Sequence, residues 1–197
     1  MRSRQRSQSS WLIKRVAIAS PVVLSFYFIM KARTNSSRRV SDPTGAGVLP
    51  NFHKINDQLY RGGQPKAAGF AELKKMGVNT VIDLRSAGKN SEREKAMAEA
   101  AGLRFLNIPL NNWGRPGNND IDKIIAQIND HANQPVFVHC NRGSDRTGTV
   151  MAVYRITHDG WSGKQASDEA HKFGLGWWQV WMKDYIEDYY REYSQNK

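Results

Sequence analysis

The chain has one cysteine in 197 residues. An intramolecular disulfide is therefore excluded, and so is a thiol relay, which needs a resolving partner. Acid is missing altogether from residues 1–40, where nine Lys and Arg stand. Beyond residue 40 the two signs nearly balance, so the net charge of +11 belongs to the N-terminal segment. The remainder offers no electrostatic footprint for nucleic acid, and that class of partner loses its main support. The five histidines (His53, His131, His139, His158 and His171) show no metal-ligand spacing. Internal repeats are absent as well.

What the N-terminus does have is an uncharged run, VAIASPVVLSFYFIM, at 16–30. Arg2, Arg4, Arg6, Lys14 and Arg15 precede it, and Lys31, Arg33, Arg38 and Arg39 follow. A helix of this length falls short of the ~30 Å hydrocarbon core. Trp11, Leu12 and Ile13 lengthen it if Lys14 and Arg15 reach back to the interface. The run ends in bulky Phe28, Ile29 and Met30 rather than the small residues of a cleavage site, which favours an uncleaved single-pass anchor. A cleaved signal and an organelle transit peptide are the rivals, the latter because MRSRQRSQSS is rich in Arg and Ser. Positive charge on both flanks leaves the side of the membrane open. The chain thus divides into a basic N-terminus with an anchor or signal (1–30), a Ser-, Arg-, Gly- and Pro-rich linker (31–51) and a folded domain (52–197).

From Phe52 onward strand and helix patterns alternate. FHKI and QLYRGG flank an Asn56-Asp57 turn, and PKAAGFAELKKMG reads as a helix that follows a proline and stops at Gly77. NTVIDLR is a short strand, SEREKAMAEAAG a helix with Ser91 as its cap, and LRFLNIPL a strand. NNDIDKIIAQINDH is a helix, PVFVHC an apolar strand, and three more helical patterns follow Arg146. This order indicates an α/β domain with a central, mostly parallel sheet flanked by helices, in which ligands bind at the carboxyl ends of strands. The charges of SEREK read as a solvated helix face. Trp178, Trp181, Tyr185 and Tyr189 form a helical stripe that reads as core packing, with an interfacial patch at the membrane as the alternative.

The lone thiol sits at one of those strand ends, in VHCNRGSDRTG. Strand PVFVHC, loop NRGSD and helix RTGTVMAVYRI follow one another, so backbone N–H groups gather at the positive end of a helix dipole. Five residues between Cys140 and Arg146 let the loop curl round a tetrahedral oxyanion. Gly143 supplies a conformation closed to side chains with a Cβ, and Arg146 offers a planar fork to two oxygens. The same field favours thiolate over thiol. The pattern is that of a nucleophile beneath a phosphate cradle.

HCNRGSDRTG resembles the His-Cys-x5-Arg signature loop of cysteine-dependent protein tyrosine and dual-specificity phosphatases. LYRGGQP, TVIDLR, the strand ending NIPL, and GWSGKQASDEAHKFGLG also resemble runs in small bacterial-type members, so the likeness covers roughly 52–190. It implies a protein-tyrosine-phosphatase-like fold and identifies 52–197 as a dual-specificity-phosphatase-like catalytic domain. It further implies that Cys140 forms a cysteinyl-phosphate, that Asn141, Arg142, Gly143, Ser144 and Asp145 supply phosphate-binding amides, and that Arg146 stabilises the transferring group. Thr147 is expected near the sulfur, and His139 behind the loop. The implied substrates are protein phosphotyrosine, with dual specificity open, or a phosphorylated lipid or inositol. The resemblance also implies no metal and no other cofactor, in agreement with the histidine spacing.

One departure stands out. The family's acid follows the strand equivalent to LRFLNIPL, yet this chain reads NNWGRPGNN there, without an acid between Asn111 and Asn119. General-acid help is worth about 10²–10⁴ in rate. Asp145, in a DRT ending like that of myotubularin-like lipid phosphatases, ranks as the candidate acid, ahead of Asp120. Each has a bland reading: Asp145 as an acceptor that fixes Arg142 or the loop, Asp120 as a first-turn acid suited to the helix dipole. The departure keeps a weak or inactive phosphate-binding module as the alternative function. Arsenate reduction and sulfur transfer fit less well, the first for want of further thiols and the second for the helix that follows the loop. Arg142 is a candidate selector of acidic or multiply phosphorylated substrates.

Overall fold

The computed structural model describes residues 47–196. The expected anchor at 16–30, and most of the linker, lie outside them. Among the described residues, no helix is long and apolar enough to cross a membrane.

Five short strands carry the fold: β1 (His53–Lys54), β2 (Leu59–Gly62), β3 (Thr80–Asp83), β4 (Arg104–Asn107) and β5 (Val136–His139). They lie in the order β1-β2-β5-β3-β4. β1 and β2 form an antiparallel hairpin across the Asn56-Asp57 turn, and every other pairing is parallel. β5 is therefore the central strand, with Val138 beside Arg61 on one side and Ile82 on the other. Six helices cover the sheet: α1 (Ala67–Lys75), α2 (Lys89–Ala100), α3 (Asn118–Asn129), α4 (Asp145–His158), α5 (Gly163–Lys172) and α6 (Val180–Gln195).

The period-two alternation of strands sorts the core into two layers. Leu59, Ile82, Val136 and Val138 pack with Ile121, Ile124 and Ile128 of α3 and with Val150, Met151 and Tyr154 of α4. Tyr60, Val81, Phe105 and Phe137 point the other way, onto Phe70 and Leu73 of α1 and Ala98 of α2. Ala152 and Ile156 of α4 make a third cluster with Ala166 and Ala170 of α5 and Met182 and Ile186 of α6. α4 is thus enclosed by neighbours on several sides, and it is buried on most of its circumference rather than along one stripe. A helix so tightly held makes a rigid platform for whatever its N-terminus presents.

Three expectations need correction. α2 begins at Lys89 after Gly88, so Ser91 lies inside the helix, buried, and its hydroxyl donates to Asp83 Oδ2 at 3.3 Å instead of capping. SEREK is not a wholly solvated face, because Glu94 is buried. The aromatic stripe divides: Tyr185 is core, whereas Trp178 and Trp181 are 52% and 57% exposed.

The folded body also starts before Phe52. Leu49 is buried with Phe70 and Phe137, and Val48 packs on the same cluster. Leu49→Ala is expected to cost about 2–5 kcal/mol in denaturant unfolding, as for a core leucine. A loss below about half a kcal/mol, as at a surface site, would return these residues to the linker.

Candidate active site

The segment 140–146 turns from β5 into α4, and what surrounds it fixes its direction. The carbonyls of Asn141, Arg142 and Gly143 are all engaged on the outside of the turn. Gln64 N–H donates to Asn141 O at 3.1 Å. The Asn51 amide donates to Arg142 O and Gly143 O, at 3.2 Å each, and to Phe173 O at 3.0 Å. Arg61 Nη2 donates to Gly143 O at 2.7 Å. Among the described residues, the backbone N–H groups of 141–144 donate to nothing. With the carbonyls of 141–143 tied outward, the N–H groups of the same peptides, those of 142–144, are left to the concave side.

Glycine is required here. Gly143 has φ +73°, and a Cβ on it would come within 2.3 Å of Gly62 C and 2.5 Å of Gly63 N. A Cβ on Gly63 would likewise meet the same turn, 3.0 Å from Arg142 C. The Gly62-Gly63 pair at the end of β2 therefore lets two backbones meet. Asn51 reaches the turn from the positive-φ region, at φ 49°, a conformation that asparagine tolerates better than most residues.

The expected residues gather as follows. Cys140 is buried at the end of β5. Arg146 lies in the first turn of α4, and its Nη1 donates to Leu84 O at 3.2 Å. Arg146 Nε and Thr147 Oγ1 are buried without a hydrogen-bond partner in the protein. Such orphans are uncommon, and an oxyanion over Cys140 would give both a use. His139 stands behind, its Nδ1 3.1 Å from Cys140 O and its Nε2 2.7 Å from Glu94 Oε1.

Asp145 takes up the anchoring role. One carboxylate oxygen accepts from Arg142 Nη2 at 2.9 Å and the other from Gly176 N–H at 3.1 Å. It thus ties the loop before α6 to the start of α4, the acceptor role also read for it from the sequence. Asp120 lies exposed in the first turn of α3, with Lys123 3.9 Å away.

Three groups around His139 were missed from the sequence: Asp83 and Glu94, both buried, and Arg85, partly buried. Arg85 bonds both oxygens of Asp83 at 2.8 Å and also pairs with Glu94. Burial works against the Asp83 charge, but the bonds and charge of Arg85, with His139 nearby, outweigh it and hold that carboxyl below its usual range. Ligand atoms of Asp83, Glu94 and His139 lie within 4.8 Å of one another. The Arg85 cation already takes their carboxylates, so the group is poorly suited to a metal. The fourth missed residue is Arg61, fully buried on β2. Burial pulls its guanidinium down to about 10. At neutral pH it remains a cation.

Residues 46–176 match the family model described as DSP-PTPase phosphatase fused to NAD+ kinase. The chain is 26% identical over 172 residues to the dual specificity protein phosphatase TpbA of Pseudomonas aeruginosa, covering 87% of this chain and 76% of that one. It is 28% identical over 163 residues to the inositol diphosphatase DSP5 of Arabidopsis thaliana, covering 76% of each. A crystal structure of a TpbA variant in complex with pTyr superposes with a TM-score of 0.62 at 25% identity, over 82% of this chain and all of that one.

The buried charges behind His139 predict an acid limb to stability. Asp83 has a depressed folded value, so its contribution is full above about pH 4 and lost as pH falls through that value. Asp83→Asn should lower stability at neutral pH by about 3–5 kcal/mol, the cost of breaking a buried pair. It should also flatten the loss on acidification, followed by denaturant unfolding across pH. An acid limb as steep as in the wild type would remove Asp83 as its source.

Proposed function

The chain belongs to the DSP-PTPase phosphatases and is a cysteine-based phosphomonoester hydrolase; on that premise we propose that Cys140 is its nucleophile and Arg146 its phosphoryl-binding arginine. The Cys140 thiolate attacks phosphorus, an S–P bond forms, and the bond to the leaving oxygen breaks with its electron pair on that oxygen. Water then attacks phosphorus, the S–P bond breaks, the water's protons pass to solvent and phosphate, and the thiolate returns as phosphate departs. The free amides of 141–144 and the N-terminus of α4 oppose the charge on the phosphoryl oxygens throughout. Thr147 Oγ1 donates towards the sulfur as it becomes the leaving atom. What carries this reading is the outward tie of three carbonyls, which leaves a ring of amides over the chain's only thiol.

The leaving group sets the substrate class. With Asp145 engaged and no acid in 111–119, groups that depart without a delivered proton are favoured. A tyrosine phenol, with its value near 10, leaves far more readily than an aliphatic hydroxyl of serine or of an inositol ring. Phosphotyrosine is thus the preferred protein substrate, in keeping with the pTyr complex of TpbA. An inositol diphosphate, the class named for DSP5, would offer phosphate itself as an equally ready leaving group.

A second reading places the substrate in a membrane. Trp177 is 79% exposed, and it lies with Trp178 directly after Gly176, whose amide is bound to Asp145. Tryptophans beside the site suit the membrane interface, as would a tether at 16–30.

Cys140→Ser should abolish phosphate release from an aryl phosphate while phosphate still binds. Wild-type protein that binds phosphate and never releases it from ester would instead be a binding module. Across substituted aryl phosphates, rate should fall steeply as the leaving phenol becomes more basic; a flat series would mean that a general acid is present after all. Replacing Trp177 and Trp178 with alanine should slow release from vesicle-borne phosphatidylinositol phosphate and spare a soluble aryl phosphate. Equal effects on both would discard the membrane reading.

A further inference from the structure

Arg61 combines features that a structural peg does not need. It is fully buried in β2, the strand beside β5. Of its nitrogens, only Nη2 has a hydrogen-bond partner, Gly143 O at 2.7 Å, while Nε and Nη1 are buried and unpaired. Its guanidinium lies 4.6 Å from the centre of the Phe173 ring. Among the described residues it makes no ion pair: the acid that most favours its charge, Glu169, is itself bound to Arg155 at 2.8 Å. Opposite it on β1, His53 is driven towards its neutral form, first by burial and then by the charges of Arg61 and Lys172.

A buried cation with one hydrogen bond and no counter-ion is unfavourable unless something negative compensates it. A neutral amide would hold a carbonyl at less cost, and Asn51 already does so for Gly143 O. The charge must therefore have another beneficiary. Cys140 is the other group whose negative charge favours the Arg61 cation, and the amides above Cys140 are where an oxyanion would add more. Arg146 is held by Leu84 O and keeps its Nε unpaired. Arg61 meets the turn on its carbonyl side, through Gly143 O.

We infer that Arg61 is a positioning residue of the phosphate site, a second arginine whose buried charge holds Gly143 carbonyl-out and is balanced only when the site is negatively charged. It touches no substrate atom. It polarises the peptide group that it binds and leaves the turn short of a negative partner, which thiolate and phosphate supply. The inference rests on the phosphate-binding reading of 140–146 given above. It explains why an arginine, and not asparagine or glutamine, occupies the middle of β2. It also explains why no carboxylate pairs with it: a resident acid would cancel the field that the phosphate meets.

The test uses the full chain, with inorganic phosphate as competitive inhibitor of aryl phosphate hydrolysis and thermal unfolding measured in parallel. Arg61→Met removes the charge at similar length, and Arg61→Lys keeps it without the fork. Because an apolar side chain replaces an unpaired buried ion, Arg61→Met should melt no lower than the wild type in the absence of phosphate. It should nevertheless bind phosphate at least tenfold more weakly and lose the stabilisation that phosphate gives. Arg61→Lys should recover a substantial part of the affinity. Affinity within twofold of wild type in Arg61→Met would overturn the inference and leave the catalytic reading intact. So would equal losses of melting temperature and affinity in both variants, the signature of a packing role. Wild-type protein that binds no phosphate would overturn the reading of the site itself, and the inference with it.

Discussion

Everything around the site depends on which way three peptide groups face. A phosphate cradle needs its N–H groups turned inward, and a free loop has no reason to hold them so against water. Here the opposite end of each peptide is fastened: Gln64, Asn51 and Arg61 take the carbonyls of residues 141–143 from outside. The partners come from three separate places, the chain before β1, the strand β2 and the turn after it. The loop's geometry is therefore a product of the whole sheet end and not of the loop's own sequence. Gly62, Gly63 and Gly143 make it possible, since any Cβ at Gly143 would collide with the neighbouring backbone.

Two buried electrostatic arrangements flank this turn, and they differ in kind. Behind His139, the carboxylates of Asp83 and Glu94 share Arg85, and Glu94 Oε1 lies 2.7 Å from His139 Nε2. That cluster fixes the imidazole against Cys140 O and belongs to stability. On the other side, Arg61 is left open, with unpaired nitrogens and a value pulled down to about 10 by burial. An unfavourable charge kept next to a binding site is what preorganisation looks like in a folded protein: the cost is met in folding and is absent when ligand arrives.

Much of this was legible in the sequence, for definite reasons. The strand-loop-helix junction at Cys140 is local, and its residue types have few other uses in that order. The alternation of short apolar strands with helices pointed to the α/β class, and the turn read at Asn56-Asp57 joins the two strands of the β1–β2 hairpin. What stayed hidden was long-range. Arg61 was visible only as part of LYRGGQP, and nothing local announces that an arginine flanked by tyrosine and glycine is buried. Asn51 lay in a segment read as linker from its Pro and Gly content, although it holds a carbonyl 91 positions away. Glu94 was hidden by its charged neighbours in SEREK, because its partners Arg85 and His139 come from other elements. Ser91 shows the same limit: a residue type that favours caps was taken for one, while tertiary packing placed it one turn inside the helix against Asp83. The tryptophans erred the other way, as apolar spacing could not tell that Trp178 precedes α6 and stays exposed.

The central claim is that the thiol beneath the carbonyl-out loop carries the phosphoryl group. The direct measurement is rapid acid quenching of the full chain during aryl phosphate turnover, followed by mass analysis of the peptide containing Cys140. The account predicts phosphate bound to Cys140 sulfur early in the reaction and gone once substrate is spent. Sustained turnover with Cys140 unmodified at every time point, or with phosphate on another residue, would contradict it.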